Sequence, residues 1–281
     1  MKIAVPLAAA CLLLACGGDP SSEFDGGGAG PDAAGADDAL PPFHASDAST
    51  HVDAGTCDPP DMLIVLDRSD SMGASPGKAP DGGVLPSKWT LAVEAVDAIT
   101  AAPSDGKLRY GLEVLPKAAG ACGTGEALVP LDLSAGATIA STLANTPLVY
   151  GTPIGGALKV AQATLQSAKT SGRDQYAILV TDGGETCSTT SPLPVVQALA
   201  AGNVKTYVVG FGGAVDKALL NDLACAGMTA TSFKTSCKKA SAGYVSAGGT
   251  TPLFFSAQDG ATLKTALSTI TGGVCCGCTV N

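Results

Sequence analysis

The sequence predicts an α/β fold: a doubly wound, mostly parallel central sheet with helices on both faces. Three observations carry this reading. From Cys57 onward, short apolar runs alternate with segments of helical period. Runs such as Met62-Leu63-Ile64-Val65-Leu66 are continuously apolar, which suits strands buried on both faces rather than one. The stretch beyond residue 56 is about 225 residues, long enough to bury the core of one large domain.

Taken in order, residues 62–66 form the first strand. Residues 89–99 have helical spacing, with Trp89, Val93, Val96 and Ile99 on a shared face. Strands follow at 108–115 and 127–131, separated by a Gly-rich loop that carries Cys122. Residues 153–168 read as a helix with Ile154, Leu158, Ala161 and Leu165 on one side. A strand at 176–180, a short helix at 195–200, a strand at 204–211 and a helix at 217–223 come next. Residues 225–250 read as irregular and polar, before a last short strand at 253–255 and a final helix at 261–270. Alternation of this kind covers a parallel sheet on both faces and puts ligand sites beyond the carboxyl ends of the central strands.

The chain before this domain is of another kind. Met1-Lys2 is followed by an apolar run at 3–15 that is too short to span a bilayer as a permanent helix. It ends in Leu13-Leu14-Ala15-Cys16, which resembles the lipobox of bacterial lipoproteins. The resemblance implies that residues 1–15 are a signal peptide, cut before a lipidated Cys16 that anchors the protein to a membrane without spanning it. An ordinary signal with an incidental Cys is the alternative; the polar spacer beginning Gly17-Gly18-Asp19 favours a tether. Gly17, where well-known inner-membrane lipoproteins have Asp, points to the outer membrane. Residues 16–56, rich in Gly, Ala and Asp, have too little apolar surface to offset the entropy of ordering and read as a disordered linker. Residues 57–281 are the domain.

Charge narrows the function. The net charge is −9, but eight of the 25 acids lie in 17–56 and only Lys2 of the 16 bases precedes residue 57. The remaining 17 acids and 15 bases leave the domain near neutral at −2, without the basic footprint of nucleic-acid binding. Both histidines, His44 and His51, fall in the linker. The domain therefore holds no Ser-His-Asp triad, Cys-His dyad or His-ligated zinc. It also lacks a Gly-x-x-x-x-Gly-Lys-Ser/Thr loop, so no nucleotide is expected.

The first strand runs into Asp67-Arg68-Ser69-Asp70-Ser71-Met72-Gly73. Asp67, Ser69 and Ser71 alternate just past a strand end, so their oxygens can converge. Hard oxygen donors suit Mg²⁺, Ca²⁺ or Mn²⁺. Here the chain resembles the von Willebrand factor A family, including integrin I domains, over about residues 60–271. That family's metal-ion-dependent adhesion site is Asp-x-Ser-x-Ser with a separate Thr and a separate Asp. These match Asp67, Ser69, Ser71, Thr152 in Gly151-Thr152-Pro153, and Asp182 in Thr181-Asp182-Gly183. The resemblance implies a bound divalent ion with an open position, which an Asp or Glu carboxylate of a protein partner completes. Each residue also has an ordinary use, as a turn former or as an N-cap before Pro153. Such uses explain the residues singly but not their joint pattern. Glu185 is expected to face solvent, and Arg68 and Asp70 to pair with solvent or neighbours.

Ten cysteines are present. Cys11 goes with the signal and Cys16 with the lipid, and the remaining eight in an exported chain suggest disulfides. Cys122 and Cys187 should both lie on the ligand face and pair. Cys225 and Cys237 bracket the irregular segment and pair. Cys57 pairs with one of Cys275, Cys276 or Cys278, since the two ends of such a fold lie close together; a metal-binding Cys cluster is the rival. The function expected is a membrane-anchored, metal-dependent protein-binding module, serving adhesion or assembly, and not an enzyme. The alternatives are a structural lipoprotein whose metal stabilises the fold, and a metal-assisted hydrolase.

Overall fold

Strand β1 (Asp61–Asp67) is buried along all seven residues, as a continuously apolar run must be if it is to form at all. It lies at the centre of a six-stranded sheet, flanked in parallel by β2 (Arg109–Leu115) and β4 (Gln175–Thr181). Beyond β2 lies β3 (Glu126–Asp132), antiparallel to it; beyond β4 lie β5 (Val204–Phe211) and β8 (Phe255–Ala257), both parallel. The strand order is β3-β2-β1-β4-β5-β8. This is a computed structural model that describes residues 58–78, 83–101, 107–118, 122–187 and 189–274. Cys16, the expected signal and linker, Cys57, Cys275, Cys276 and Cys278 lie outside the described residues.

The period of two in each strand sorts the core into halves. Met62, Ile64 and Leu66 of β1 face α1 (Lys88–Thr100), α2 (Gly136–Ala144) and α7 (Gly260–Val274), which contribute among others Val96, Ile139 and Leu267. Leu63 and Val65 face the opposite helices α3 (Ile154–Ser167), α4 (Pro192–Ala201) and α5 (Lys217–Ala226), met by Leu158, Val196 and Leu223. At about 1.5–3 kcal/mol for each large apolar side chain removed from water, these two layers hold the sheet. The α/β, doubly wound, mostly parallel architecture expected from the sequence is the one observed.

Several elements differ from expectation. The buried stripe of α1 is Leu91, Ala92, Ala95, Val96 and Ile99, with Trp89 and Val93 at its edge rather than its centre. Helix α2 was not expected; Ile139 and Leu143, one turn apart, are its two buried anchors. Residues 225–250 are irregular only in part. One helical turn, α6 (Phe233–Ser236), leads into a hairpin of β6 (Cys237–Ala240) and β7 (Gly243–Ser246). A Cys225–Cys237 disulfide and an edge-on Phe233–Tyr244 ring pair at 4.9 Å hold that hairpin against α5. The last strand starts two residues later than expected, because Leu253 and Phe254 are buried in the approach to it. The Phe254 ring occupies the space that a Cβ on Gly210 would need.

One core residue is out of character. Glu113, in the middle of β2, is fully buried, and among the described residues neither carboxylate oxygen has a hydrogen-bond partner. A Cβ on Gly125 would lie 2.0 Å from its Oε1. Burial pushes this carboxyl up to about 9.

Candidate metal centre

The chain leaves β1 towards β2 on one side and returns to β4 on the other. In open sheets this switch point leaves a crevice beyond the strand ends, where ligands bind. Asp67 is the last residue of β1, and Asp182 directly follows β4. The crevice therefore begins with two carboxylates, both essentially inaccessible to solvent.

The loop after β1 is shaped by its own side chains. The Ser69 amide donates to Asp67 Oδ1 at 2.8 Å, a turn that aspartate favours. A 3₁₀ turn over Asp70–Gly73 follows, in which the Met72 amide bonds the Ser69 carbonyl at 2.9 Å and the Met72 side chain is buried. The turn carries Ser71 back beside Ser69, their hydroxyls 3.0 Å apart. The Ser71 hydroxyl donates to Asp182 Oδ1 at 2.7 Å. Ser71 is exposed, so the cluster opens to solvent on that side.

Asp67, Ser69, Ser71 and Asp182 are thus joined in one chain of contacts. Thr152 approaches from a third segment. Val149 forms a parallel bridge to Ser69, and three residues later the backbone of Thr152 is tied to Thr186. Its hydroxyl makes no hydrogen bond to the other four among the described residues, nor does it cap α3, whose N-cap is Pro153. The capping use open to Thr152 in the sequence is therefore not the one it serves.

Glu185 caps that helix instead. Its Oε2 accepts from the Gly155 amide at 2.7 Å and its Oε1 from the Cys187 amide at 2.7 Å. The expectation that it faces solvent is corrected: a proline cannot cap with its side chain, and a carboxylate at a helix N-terminus meets both the free amides and the positive dipole end. Arg68 turns to the other side of the strand and is buried, donating to the carbonyls of Pro116 at 2.8 Å and Lys117 at 2.5 Å. Cys122 and Cys187 are joined by a disulfide, which fastens the loop after β4 to the one between β2 and β3.

Two polar neighbours escaped the sequence reading. Thr181 donates its hydroxyl to Asp67 Oδ2 at 2.6 Å. Lys88, the first residue of α1, forms a buried ion pair with Asp182 Oδ2. The signal for Lys88 was present: a lysine in the first turn of a helix stands against the dipole and calls for a reason.

The donor set fits a hard divalent cation. Two buried carboxylates and the hydroxyls of Ser69 and Ser71 are brought together, with Lys88 as the one ammonium paired to them among the described residues. Burial, more than any neighbour, raises the Asp67 carboxyl to about 6. That is the state of an acid lacking enough positive charge around it.

Residues 128–242 match the family model of the von Willebrand factor type A domain. The matched stretch contains Thr152 and Asp182 and starts after the 67–71 motif. No curated protein matches the chain. Among solved structures, the chain is similar to the pilus adhesin SpaC from Lactobacillus rhamnosus GG, with a TM-score of 0.55 and 14% identity over 78% of this chain and 31% of that one. It is similar to proximal thread matrix protein 1 from the mussel byssus, with a TM-score of 0.54 and 16% identity over 77% and 48%. It is similar to a von Willebrand factor type A protein from Catenulispora acidiphila, with a TM-score of 0.53 and 18% identity over 78% and 43%. The chain thus spans less than half the length of each, and at these identities the likeness is one of fold. The family model's match over residues 128–242 and the sheet agree: the fold is that of a von Willebrand factor type A domain.

Proposed function

We propose that this domain is a divalent-metal-dependent protein-binding module, serving adhesion or assembly, that takes hold of an acidic side chain of its partner. One observation carries the reading: four oxygen-bearing side chains from two strand ends converge at the switch point of the sheet, open to solvent at Ser71. In this reading Asp67, Ser69, Ser71, Thr152 and Asp182 hold Mg²⁺, Ca²⁺ or Mn²⁺. A metal bound there supplies an electrophilic centre for a carboxylate oxygen. The protein's own part is to hold its ligands still. Thr181 orients Asp67, the 3₁₀ turn fixes Ser69 and Ser71, and Glu185 with the Cys122–Cys187 bridge braces the loop after Asp182. Tyr150, two residues before Thr152, is 73% exposed beside the site. An aromatic there offers the rigid apolar contact that often dominates an interface.

We further infer that the module sits on a lipid anchor at Cys16 and reaches its partner through the 16–56 linker, at the outer membrane. Among the described residues, no helix is long and apolar enough to cross a membrane. The test is calorimetric titration of the chain, exported to an oxidising compartment, with Mg²⁺, Ca²⁺ and Mn²⁺ beside Asp67→Ala. Saturable binding that the substitution abolishes supports the reading. A folded wild type that takes up none of the three ions sinks it.

A further inference from the structure

We propose that Lys88 is a built-in counter-cation: it holds Asp182 in the metal-free domain and must yield that carboxylate when a divalent ion arrives, so it sets the affinity of the site. This rests on the metal reading above and adds to it a residue outside the ligand set.

Four observations support it. First, Lys88 begins α1, where the helix dipole disfavours a cation, and lysine is almost never fully buried unless paired. Something must hold it there, and Asp182 does. Second, its pair with Asp182 Oδ2 is closed off, with the lysine side chain 9% exposed and the aspartate 0%. Among the described residues it is the only ion pair made by either site carboxylate. Third, its stem lies within the packed interior beyond β5. Gly212, just past that strand and at φ +88°, would place a Cβ 3.5 Å from Lys88 Cδ, an ordinary van der Waals contact. Fourth, its backbone is tied to the motif loop, because the Lys88 amide donates to the Ala74 carbonyl at 2.9 Å.

The charge balance follows. Without metal, two buried carboxylates face one ammonium, which leaves the cluster one charge short. With a divalent ion and the ammonium both present, the cluster is one charge over, and two cations contend for Asp182. Affinity for the ion is therefore lower than the five ligands alone would give. In exchange, the empty site does not hold two uncompensated carboxylates.

The experiment uses the full chain, stripped of metal, as wild type, Lys88→Met, Lys88→Arg and Asp67→Ala. Mn²⁺ and Mg²⁺ binding are measured by calorimetry, and thermal unfolding is followed with and without Mn²⁺. Met keeps the length and loses the charge; Arg keeps the charge. Lys88→Met should bind Mn²⁺ at least tenfold more tightly than wild type, which is about 1.4 kcal/mol. It should also melt lower without metal and gain more on adding it, while Lys88→Arg stays near wild type. Should Lys88→Met fold only when Mn²⁺ is present, that too is the expected behaviour. Equal or weaker binding by Lys88→Met, while Asp67→Ala loses binding, overturns the role of Lys88 and leaves the metal site standing. No binding by wild type or Lys88→Met overturns both.

Discussion

Replacing Glu113 with glutamine should change how the stability of the domain depends on pH. Glu113 is fully buried in β2 with no partner for either oxygen among the described residues, and its folded-state pKa is raised from 4.5 to about 9 by burial. Between those values the folded protein carries a proton on Glu113 that the unfolded chain has lost. Stability therefore falls as pH rises, by about 1.36 kcal/mol for each unit, since the native state binds one proton more. The contribution is fully present below pH 4.5 and is lost as pH climbs through about 9. From pH 5.5 to 8.5 the loss is about 4 kcal/mol, a large part of the total stability of an ordinary domain. The amide that replaces the carboxyl does not titrate, so the stability of Glu113→Gln relative to wild type should rise by about that amount over the same range. Other titrating groups, Asp67 among them, are shared by the two proteins and cancel in the difference. Urea unfolding at pH 5.5, 7.0 and 8.5, disulfides intact, measures it. Two parallel stability curves, with a difference constant to within about 1 kcal/mol, would refute the reasoning.

Other substitutions test the frame around the site. Gly155→Ala would place a Cβ 1.9 Å from the Thr190 carbonyl oxygen, which is backbone and cannot step aside. A loss of about 1–3 kcal/mol or more is expected in thermal or urea unfolding, while Gly123→Ala, with no described residue within 4 Å of its Cβ, stays near wild type. Opening the Cys122–Cys187 bridge with a double Ser substitution frees a loop of sequence separation 65. Chain entropy puts the cost at about 4 kcal/mol, and an unfolding midpoint unchanged by the double substitution would contradict it.

How much of this was legible in the sequence varies by element, for physical reasons. The strands at 62–66 and 176–180 were legible because a strand covered on both faces must be apolar along its whole length, and the one at 204–211 because its second half, from Tyr207 to Phe211, is a run of the same kind. Helix α3 was legible because its buried side, Ile154, Leu158, Ala161 and Leu165, repeats at the helical period. Helix α2 was not, since two apolar anchors among Gly, Ser, Thr and Ala make a faint pattern. The β6–β7 hairpin was not either. Its strands are only half-buried, and it is held from outside, by Cys225 and by the Asp222 carboxylate that accepts from the Ser246 amide at 2.9 Å.

The order of residues is enough to place most of the strand and helix alternation and to name five candidate ligands, because those follow from local pattern and a motif with few other uses. Which polar groups meet is settled by the folded chain alone. Thr181 finds Asp67 across 114 positions, Lys88 finds Asp182 across 94, and Glu185 reaches back 30 to cap a helix. A buried charge is stable only beside its partner, and the partner's distance along the chain leaves no trace in the residues on either side of it.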